Sequence, residues 1–503
     1  MDEGENGENS MSYVWKEDSE CNLAWCSPTL GCGKADDGAL YKGRRVSSEP
    51  SKFPFSIMTS SNALRTIGLQ HVARGVGRST DLVISKASGS YVYTVEGNKY
   101  LDLTAGIGVT STGHCHPKIV KAAQEQVGNL IHGQVNLFIH EPMVKLIEKL
   151  KPIMPSKELD TFFFWNSGAE AVEAAIKLAR HATGKHNIIV MQGSYHGRTI
   201  GTMALTTSKT IYSTGFGPLM PGVYVTPFPY TLHSPTQKAL PPGTFRDDLT
   251  TEYAIEQLEL LLKQQTAPSD TAALIMESVL GEGGYVVPPK EYVQKVREIC
   301  TKHGILFIAD EVQSGFGRTG KYFAIEHTDV VPDIMVMAKG IASGFPISGI
   351  VSRKEIMDKQ PPGSMGGTYS GNAVACAAAI ATLEVMEEEN LLLNVQERSE
   401  EIFGRLRQEL SPLLEKHDIQ VDIRGLGLMI GVEFYGNGLS KLHEKLNSKV
   451  SEAIVGQCFK NDMLVLTTSV YDTMRFIPPL NISKEDTMIA MDILMKSVKE
   501  VIN

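Results

Sequence analysis

The chain has 503 residues, of which 42% are hydrophobic and 21% charged, enough for roughly two to four domain-sized units with a large apolar core. The net charge of −9, without any run of lysine or arginine, argues against nucleic acid or an anionic membrane surface as the main partner. No apolar stretch approaches the roughly 20 residues that cross a bilayer. Seven cysteines make no even framework, which predicts free thiols in a reducing compartment.

The N-terminal segment 1–57 is rich in Asp, Glu, Gly, Asn and Ser, and this composition predicts a disordered acidic tail. Its acidity disfavours a secretory signal or a mitochondrial transit peptide. Residues 51–80 are basic and contain no acid, so a translation start near Met58 would give a sequence more like a transit peptide. We therefore predict a cytoplasmic protein, with the mitochondrion as the alternative if translation starts there.

Short alternating segments at 82–85, 90–94 and 99–103, with a turn at Gly97 and Asn98, predict a small antiparallel sheet. We assign 58–113 to the N-terminal part of a smaller α+β domain. From Pro117 onward, helical and strand signals alternate, which predicts a mostly parallel sheet covered by helices. The predicted strands are 161–165, 187–191, 272–278, 304–310 and 333–339, and the predicted helices are 117–127, 169–183, 291–303 and 373–389.

This alternating region, 114–381, is the predicted large domain of an α/β protein, and 382–503 is the predicted C-terminal part of the small domain. The proline-rich segment 227–242 predicts a long loop near the edge of the site.

Two of the predicted strands deliver an ionisable residue to the same edge of the sheet. One ends at Asp310 and the other at Lys339, and the separation of 29 positions leaves room for one crossover. An amine and a carboxylate placed together suit pyridoxal phosphate, which needs an amine for a Schiff base and an anion beside its pyridine nitrogen. A lone lysine would more often be a surface residue, but this one has a carboxylate neighbour.

A possible phosphate site follows the strand that ends at Trp165. Residues Ser167, Gly168 and Ala169 begin a predicted helix, and free N–H groups at a helix N-terminus bind phosphate. The alternative is a capping box between Ser167 and Glu170 that serves stability alone.

Polar residues also follow the next strand, where open α/β sheets bind ligands. Tyr195 is suited to stack on a pyridine ring, and the planar guanidinium of Arg198 is suited to bind a substrate carboxylate. The alternative for this segment is an ordinary polar turn.

Glu277 ends another strand and leads into a glycine-rich loop that contains Glu282. We expect Glu282 to pair with an arginine, and Arg424 is the candidate. Opening and closing that pair would let one site accept substrates with one carboxylate or two. A solvated loop acid is the alternative, because most carboxylates are exposed.

Two other patterns are weaker. The glycines from Gly315 to Gly320 match G-x-G-x-x-G, but they do not follow their strand directly and no crossover helix comes after them. His114, Cys115 and His116 precede Pro117, which indicates the start of a helix, and no further ligands lie at a suitable spacing. We expect no metal site.

Taken together, the site segments resemble the class III pyridoxal-phosphate aminotransferases from about residue 83 to the C-terminus. The segments are Asn166-Ser-Gly-Ala-Glu-Ala, Tyr195-His-Gly-Arg-Thr, Gly281-Glu-Gly-Gly, Asp310-Glu-Val-Gln-Ser-Gly, Ala338-Lys339-Gly and Gly367-Thr-Tyr-Ser-Gly-Asn. Within the family the chain looks most like the 4-aminobutyrate aminotransferases. The resemblance implies fold type I, with a mostly parallel seven-stranded sheet in the large domain and a small domain built from both chain ends.

The resemblance also implies a role for each site residue. Lys339 would hold the cofactor and move a proton, Asp310 would pair with the ring nitrogen, and Glu282 would mask Arg424. The remaining contacts implied for the cofactor and substrate are phosphate binding by Ser167, Gly168, Ala169 and the partner subunit's Thr368, ring packing by Tyr195 and Val312, a ring-hydroxyl contact from Gln313, binding of the far carboxylate by Arg198, and an apolar contact from Ile107.

The implied reaction moves the amino group of an ω-amino acid, with 4-aminobutyrate the best candidate, to 2-oxoglutarate and gives succinate semialdehyde and glutamate. The implied partners are these small molecules and a second copy of the chain, in a homodimer or larger assembly with shared sites. Acetylornithine, ornithine or another ω-amine stays open as the donor. An aminomutase or racemase, or an inactive binding homologue, is a further alternative.

Overall fold

The computed structural model describes residues 60–241 and 243–503. The predicted acidic tail, 1–57, lies outside the described residues. The part that is described begins with a helix and ends with one, and its elements alternate through most of the chain.

The helices are α1 Ser61–His71, α2 Ala105–Gly108, α3 Pro117–Asn129, α4 Glu141–Leu150, α5 Gly168–Thr183, α6 Ile200–Leu205, α7 Asp247–Gln264, α8 Lys290–His303, α9 Lys354–Met357, α10 Ala373–Glu388, α11 Leu391–Arg405, α12 Ser411–Glu415, α13 Leu439–Leu446, α14 Val450–Lys460 and α15 Lys484–Ile502. The strands are β1 Ile84–Ser88, β2 Tyr91–Thr94, β3 Lys99–Asp102, β4 Thr161–Trp165, β5 Asn187–Met191, β6 Val223–Thr226, β7 Thr271–Glu277, β8 Leu306–Asp310, β9 Ile334–Met337, β10 Ser348–Ser352, β11 Gln420–Leu426, β12 Met429–Tyr435, β13 Met463–Leu464, β14 Leu466–Thr468 and β15 Thr473–Phe476.

The central sheet has seven strands in the order β4-β10-β9-β8-β7-β5-β6. Every neighbouring pair is parallel except the two that involve β10. This confirms the predicted mostly parallel, seven-stranded sheet. The carboxyl ends of β5, β7, β8 and β9 therefore meet at one edge, which is where such sheets bind ligands.

The strands of this sheet are apolar on both faces because helices cover both. Successive residues of β5 show the alternation: Ile188 packs in the cluster that contains α5, whereas Ile189 packs in the cluster that contains α7 and α8. Every residue of β7 is buried. A rigid, two-sided core thus fixes the strand ends that carry the polar residues.

Two four-stranded sheets lie outside the central one. The predicted antiparallel sheet of β1, β2 and β3 is confirmed, and the structure adds β13 from the C-terminal region, parallel to β3. The other sheet is antiparallel, in the order β11-β12-β15-β14. Both chain ends thus build the smaller sheets, as expected, while the domain limits at 113 and 381 stay a prediction. None of the described helices has the length and apolar character needed to span a membrane.

Candidate active site

A cavity of about 440 Å³ opens at the carboxyl edge of the central sheet. Ten of the thirteen predicted site residues line it: Ser167, Gly168, Ala169, Tyr195, Arg198, Glu282, Asp310, Val312, Gln313 and Lys339. The parallel strands bring them together because each segment follows the end of its own strand. The other three, Ile107, Thr368 and Arg424, do not line this cavity.

Lys339 follows β9 and begins a short 3₁₀ turn that ends at Ala342. Its φ of 47° lies in the left-handed region, which is unfavourable for a residue with a side chain. Ser111 stabilises this turn, since its hydroxyl donates to the carbonyl oxygen of Gly340 at 3.0 Å and lies 2.8 Å from the hydroxyl of Ser343. Burial lowers the pKa of Lys339 to about 8, so a neutral, nucleophilic amine is accessible near physiological pH.

Asp310 is the last residue of β8, beside Glu277 in the register of β7. One of its oxygens, Oδ2, lies 2.6 Å from Nδ1 of His196, and the other accepts the N–H of Val312 at 3.0 Å. His196 and Asp310 are both buried. The carboxylate is therefore fixed in position and supported by a histidine that the sequence analysis did not assign, although His196 adjoins the predicted Tyr195.

Glu277 is a second buried carboxyl group in the cavity wall. Burial raises its pKa to about 7. Its two oxygens accept the backbone N–H groups of Tyr195, at 2.7 Å, and Gly281, at 2.8 Å. This one side chain thus joins the loop that carries Tyr195 and Arg198 to the loop that carries Glu282.

The N-terminus of α5 supplies the donors of an anion site. Ser167 caps the helix and forms the expected capping box with Glu170, so the structural interpretation of this motif holds. The N–H groups of Gly168 and Ala169 precede the first bond within the helix and find no protein acceptor in the described part of the chain. Both interpretations are therefore compatible, because the capping box leaves these two donors free for a phosphate.

Close packing surrounds this anion site. A Cβ atom on Gly168 would lie 3.0 Å from Cγ1 of Val312, so the backbone approaches Val312 as closely as a glycine allows. Oε1 of Gln313 is buried and has no partner among the described residues. The cavity thus offers a partner to each of the five parts of pyridoxal phosphate that need one. These partners are the amine of Lys339, the fixed carboxylate of Asp310, the apolar side chain of Val312, the unpartnered amide oxygen of Gln313, and the free N–H groups of Gly168 and Ala169.

Arg198 presents a guanidinium group to the cavity. Its Nε donates to the hydroxyl of Tyr195 at 3.1 Å, and its Cζ lies 4.5 Å from the ring centre of Tyr212. No acid lies within ion-pair distance of Arg198 in residues 60–241 and 243–503. It is therefore a cation that is available to an anionic ligand.

The prediction that Glu282 pairs with Arg424 is wrong. Glu282 forms its ion pair with Arg475, and both side chains are buried. Arg424 instead pairs with Glu433 at 2.7 Å and with Asp422 at 2.6 Å. Its charge is thus already neutralised by these two acids.

Strand order explains this exchange of arginines. Arg424 on the edge strand β11 is opposite Gly431 of β12, and Gly431 is in turn opposite Arg475 of β15. The two arginines therefore lie in one row across the sheet, and both contact the loop of Glu282: Arg424 donates to the carbonyl oxygen of Gly284 at 2.7 Å, whereas Arg475 pairs with Glu282 itself. The signal that could have indicated Arg475 is an arginine within a short apolar strand, where an unpaired charge would be costly.

Two further predictions are not tested by a single chain. Ile107 has a φ of 65° and is 39% exposed, two residues before Val109 of the cavity wall. Thr368 is exposed, and its predicted role is in the site of a second subunit.

Comparison with known proteins gives consistent matches. The profile of the family described as "Aminotransferase class-III" matches residues 72–498. The chain is 41% identical to 5-aminovalerate aminotransferase of Pseudomonas aeruginosa, over 82% of this chain and 92% of the relative. It is 38% identical to 4-aminobutyrate aminotransferase of Escherichia coli, over 88% of this chain and 99% of the relative. Among solved structures, an amine transaminase from an uncultivated Pseudomonas species in its PLP-bound form is 28% identical, with a TM-score of 0.76 over 86% of this chain and 99% of that one.

Proposed function

Because the chain belongs to the class III aminotransferases, we propose that it transfers the amino group of an ω-amino acid, 4-aminobutyrate in the first place, to 2-oxoglutarate. The products are succinate semialdehyde and glutamate. The observation that carries the proposal is the placement of the Lys339 amine and the Asp310 carboxylate in one cavity with the free N–H groups of α5. Pyridoxal 5′-phosphate, the cofactor, accepts the electrons that a substrate carbon retains when it loses its proton.

Two side chains, Lys339 and Asp310, would act on the cofactor and the proton. Lys339 would hold the cofactor through Nζ, and its amine would also carry the proton that leaves the substrate carbon. Its lowered pKa makes the neutral amine, which is the form that accepts a proton, accessible near pH 8. Asp310, held by His196 and the N–H of Val312, would supply the negative charge that the cofactor's ring nitrogen needs.

Two arginines explain how one site takes substrates of different charge. Arg198 binds the far carboxylate of the ω-amino acid and of 2-oxoglutarate. With an ω-amino acid, which has no second carboxylate, Glu282 stays on Arg475 and keeps that buried cation neutralised. With 2-oxoglutarate or glutamate, the second carboxylate takes the place of Glu282. The arginine that Glu282 masks is therefore Arg475 and not Arg424, but the proposed role of the pair, to admit substrates with one carboxylate or two, is the same.

A second candidate donor is 5-aminovalerate, which is one methylene longer than 4-aminobutyrate. The relative named for that substrate is 41% identical to this chain, against 38% for the Escherichia coli 4-aminobutyrate enzyme. A difference of one methylene in a binding site is worth only ~1 to 3 kcal/mol, so both donors fit the same catalytic groups.

A donor screen of the cofactor-loaded protein tests the proposal. The donors are 4-aminobutyrate, 5-aminovalerate, ornithine and N-acetylornithine, each with 2-oxoglutarate and with pyruvate, and the readout is glutamate or alanine formation. We expect the highest kcat/KM with 4-aminobutyrate and 2-oxoglutarate. Turnover without any 2-oxo acid would indicate a mutase or racemase, and no turnover with any donor would indicate a binding protein.

The proposed assembly is a homodimer or larger oligomer with shared sites. Large apolar side chains are exposed at Ile131, Leu137 and Ile139, and the ring of Tyr369, which is 66% exposed, lies 5.5 Å from that of His132. Such a patch favours contact with another protein chain, and Thr368 adjoins it. Light scattering of the purified protein tests the assembly, and the cytoplasmic location stays a prediction.

A further inference from the structure

Tyr212 lies at the end of a short 3₁₀ turn, Thr210–Tyr212, on the segment that follows α6. Nothing in its sequence context suggests a role in the site, and it does not line the cavity itself. The chain nevertheless returns over the site at this point, so that the half-buried ring of Tyr212 meets both Tyr195 and Arg198.

The contact with Arg198 is a cation–π arrangement. Cζ of Arg198 lies 4.5 Å from the ring centre of Tyr212, but 6.0 Å from that of Tyr195. A guanidinium is weakly hydrated on its flat face, and a ring against that face stabilises the cation and fixes its plane.

The remaining contacts of Arg198 leave one edge free. Nε donates to the hydroxyl of Tyr195 at 3.1 Å, and the terminal nitrogens have no protein acceptor in the described residues. These two nitrogens are the pair that binds a carboxylate in bidentate fashion. The ring of Tyr212 also meets the ring of Tyr195 edge to face, with 5.2 Å between centres, so the two aromatic contacts of Arg198 brace each other.

We propose that Tyr212 is a positioning residue that sets the specificity for a substrate carboxylate by holding the guanidinium plane of Arg198. This inference rests on the proposed function, in which Arg198 binds the far carboxylate. The ring face is the part of Tyr212 that matters, because its hydroxyl makes no hydrogen bond within the described part of the chain. A change at Tyr212 therefore affects substrates that carry a far carboxylate and spares amines that lack one.

The test compares Tyr212→Leu with the matched control Tyr212→Phe in the cofactor-loaded enzyme. The donors are 4-aminobutyrate and n-butylamine, which has the same four-carbon chain without the carboxylate. We expect Tyr212→Leu to raise KM for 4-aminobutyrate by about 5- to 20-fold with little change in kcat, because the variant loses the cation–π contact that stabilises and orients the guanidinium. We expect Tyr212→Phe to stay within about twofold of the wild type, and kcat/KM for n-butylamine to stay unchanged in both variants.

Three results would overturn the inference. One is an equal loss in Tyr212→Phe, which would assign the effect to the hydroxyl. Another is an equal loss for n-butylamine, which would indicate a general effect on folding or on the cofactor. The third is no loss for 4-aminobutyrate in Tyr212→Leu.

Arg198→Gln separates this inference from the proposed function. If Arg198→Gln raises KM for 4-aminobutyrate selectively while Tyr212→Leu does not, only the role of Tyr212 is wrong. If Arg198→Gln affects both donors equally, Arg198 is not the carboxylate site, and the substrate part of the proposed function fails together with the inference. The inhibition constant of butyrate, which binds without reacting, gives a second readout that does not depend on turnover.

Discussion

The carboxylate of Glu282, which lines the cavity that holds Lys339, forms a buried ion pair with the guanidinium of Arg475. Burial alone would raise the pKa of Glu282, but the charge and hydrogen bond of Arg475, together with the charges of Lys339 and Lys209, outweigh burial and lower that pKa below its ordinary value. A buried pair of this kind is costly to break unless another anion replaces one partner. The pair should therefore open only for a substrate whose second carboxylate can replace Glu282, and so distinguish substrates with one carboxylate from those with two.

Glu282→Gln is expected to change the balance between substrates. With 4-aminobutyrate bound, the variant leaves Arg475 buried and unpaired, whereas glutamate supplies its own carboxylate to that arginine. We expect the ratio of kcat/KM for 4-aminobutyrate to that for glutamate to fall about 10- to 100-fold, measured in the separate half-reactions, because an unpaired buried charge costs several kcal/mol.

The matched controls for this prediction are Arg475→Gln and Arg424→Gln. Arg475→Gln should weaken glutamate and 2-oxoglutarate selectively. Arg424→Gln removes one partner of Glu433, which keeps its contact with His233, and should lower stability without changing the substrate ratio. The opposite pattern in these two variants would restore the pair that the sequence suggested.

Lys339→Ala is expected to fold normally and to lose transamination. The variant removes the amine that binds the cofactor and carries the proton, so kcat should fall by at least about a thousandfold. Lys121→Ala is the matched control, because Lys121 is an exposed lysine whose only ion pair among the described residues is with Glu125 on the same helix. Activity of Lys339→Ala close to that of the control would contradict the assignment.

The rate at which cofactor-free protein captures pyridoxal phosphate should increase with pH around 8. The neutral amine is the nucleophile, and burial lowers the pKa of Lys339 from an ordinary value of about 10.5 to about 8. Capture should therefore be slow below that pH and approach a plateau above it. Absorbance after rapid mixing measures the rate, and a rate that still rises steeply at pH 10 would show that Lys339 is not desolvated.

Gly168→Ala is expected to weaken cofactor binding. The new Cβ would lie 3.0 Å from Cγ1 of Val312. Because Gly168 also contributes a free N–H group to the anion site, either that site or the side chain of Val312 must shift to make room. We expect the Kd of pyridoxal phosphate to rise about tenfold, since such crowding costs ~1 to 3 kcal/mol. Gly128→Ala is the control, because a Cβ on this glycine of α3 meets no atom within 4 Å.

Glu277→Gln is expected to alter how stability depends on pH. Burial raises the pKa of Glu277 to about 7, so the folded state binds more protons than the unfolded state between about pH 4.5 and 7. Glu277 therefore makes stability fall as pH rises through that window, by at most about 1.4 kcal/mol per pH unit. The Gln variant lacks this contribution.

Urea unfolding of the cofactor-free wild type and variant between pH 5 and pH 8 measures the difference. The stability of the wild type relative to the variant should decrease up to about pH 7 and then level off. A difference that does not change with pH would mean that Glu277 is ionised throughout. At any pH the variant should also loosen the Tyr195 loop or the Gly281 loop, because an amide has only one acceptor oxygen for these two N–H groups.

Patterns within short stretches of sequence, such as apolar runs and helix caps, predicted most of the elements of the central sheet. The apolar runs at β4 and β5 match their observed bounds, and the capping residue Ser167 places the start of α5. These features are decided within a few residues, by side-chain patterning and by hydrogen bonds that a helix end must satisfy. The order of motifs along the chain then indicated the cofactor chemistry.

The partners of the buried charges could not be predicted in this way. His196 reaches Asp310 across 114 residues of sequence, and Glu282 reaches Arg475 across 193. Arg424 and Arg475 each lie in a strand of the same antiparallel sheet, and only the pairing of β12 with β15 puts Arg475 nearer to the cavity. The sequence by itself determined which strands end in reactive groups, because that depends on neighbouring residues; the tertiary structure decided which groups meet, because strand pairing joins residues that are distant in the chain.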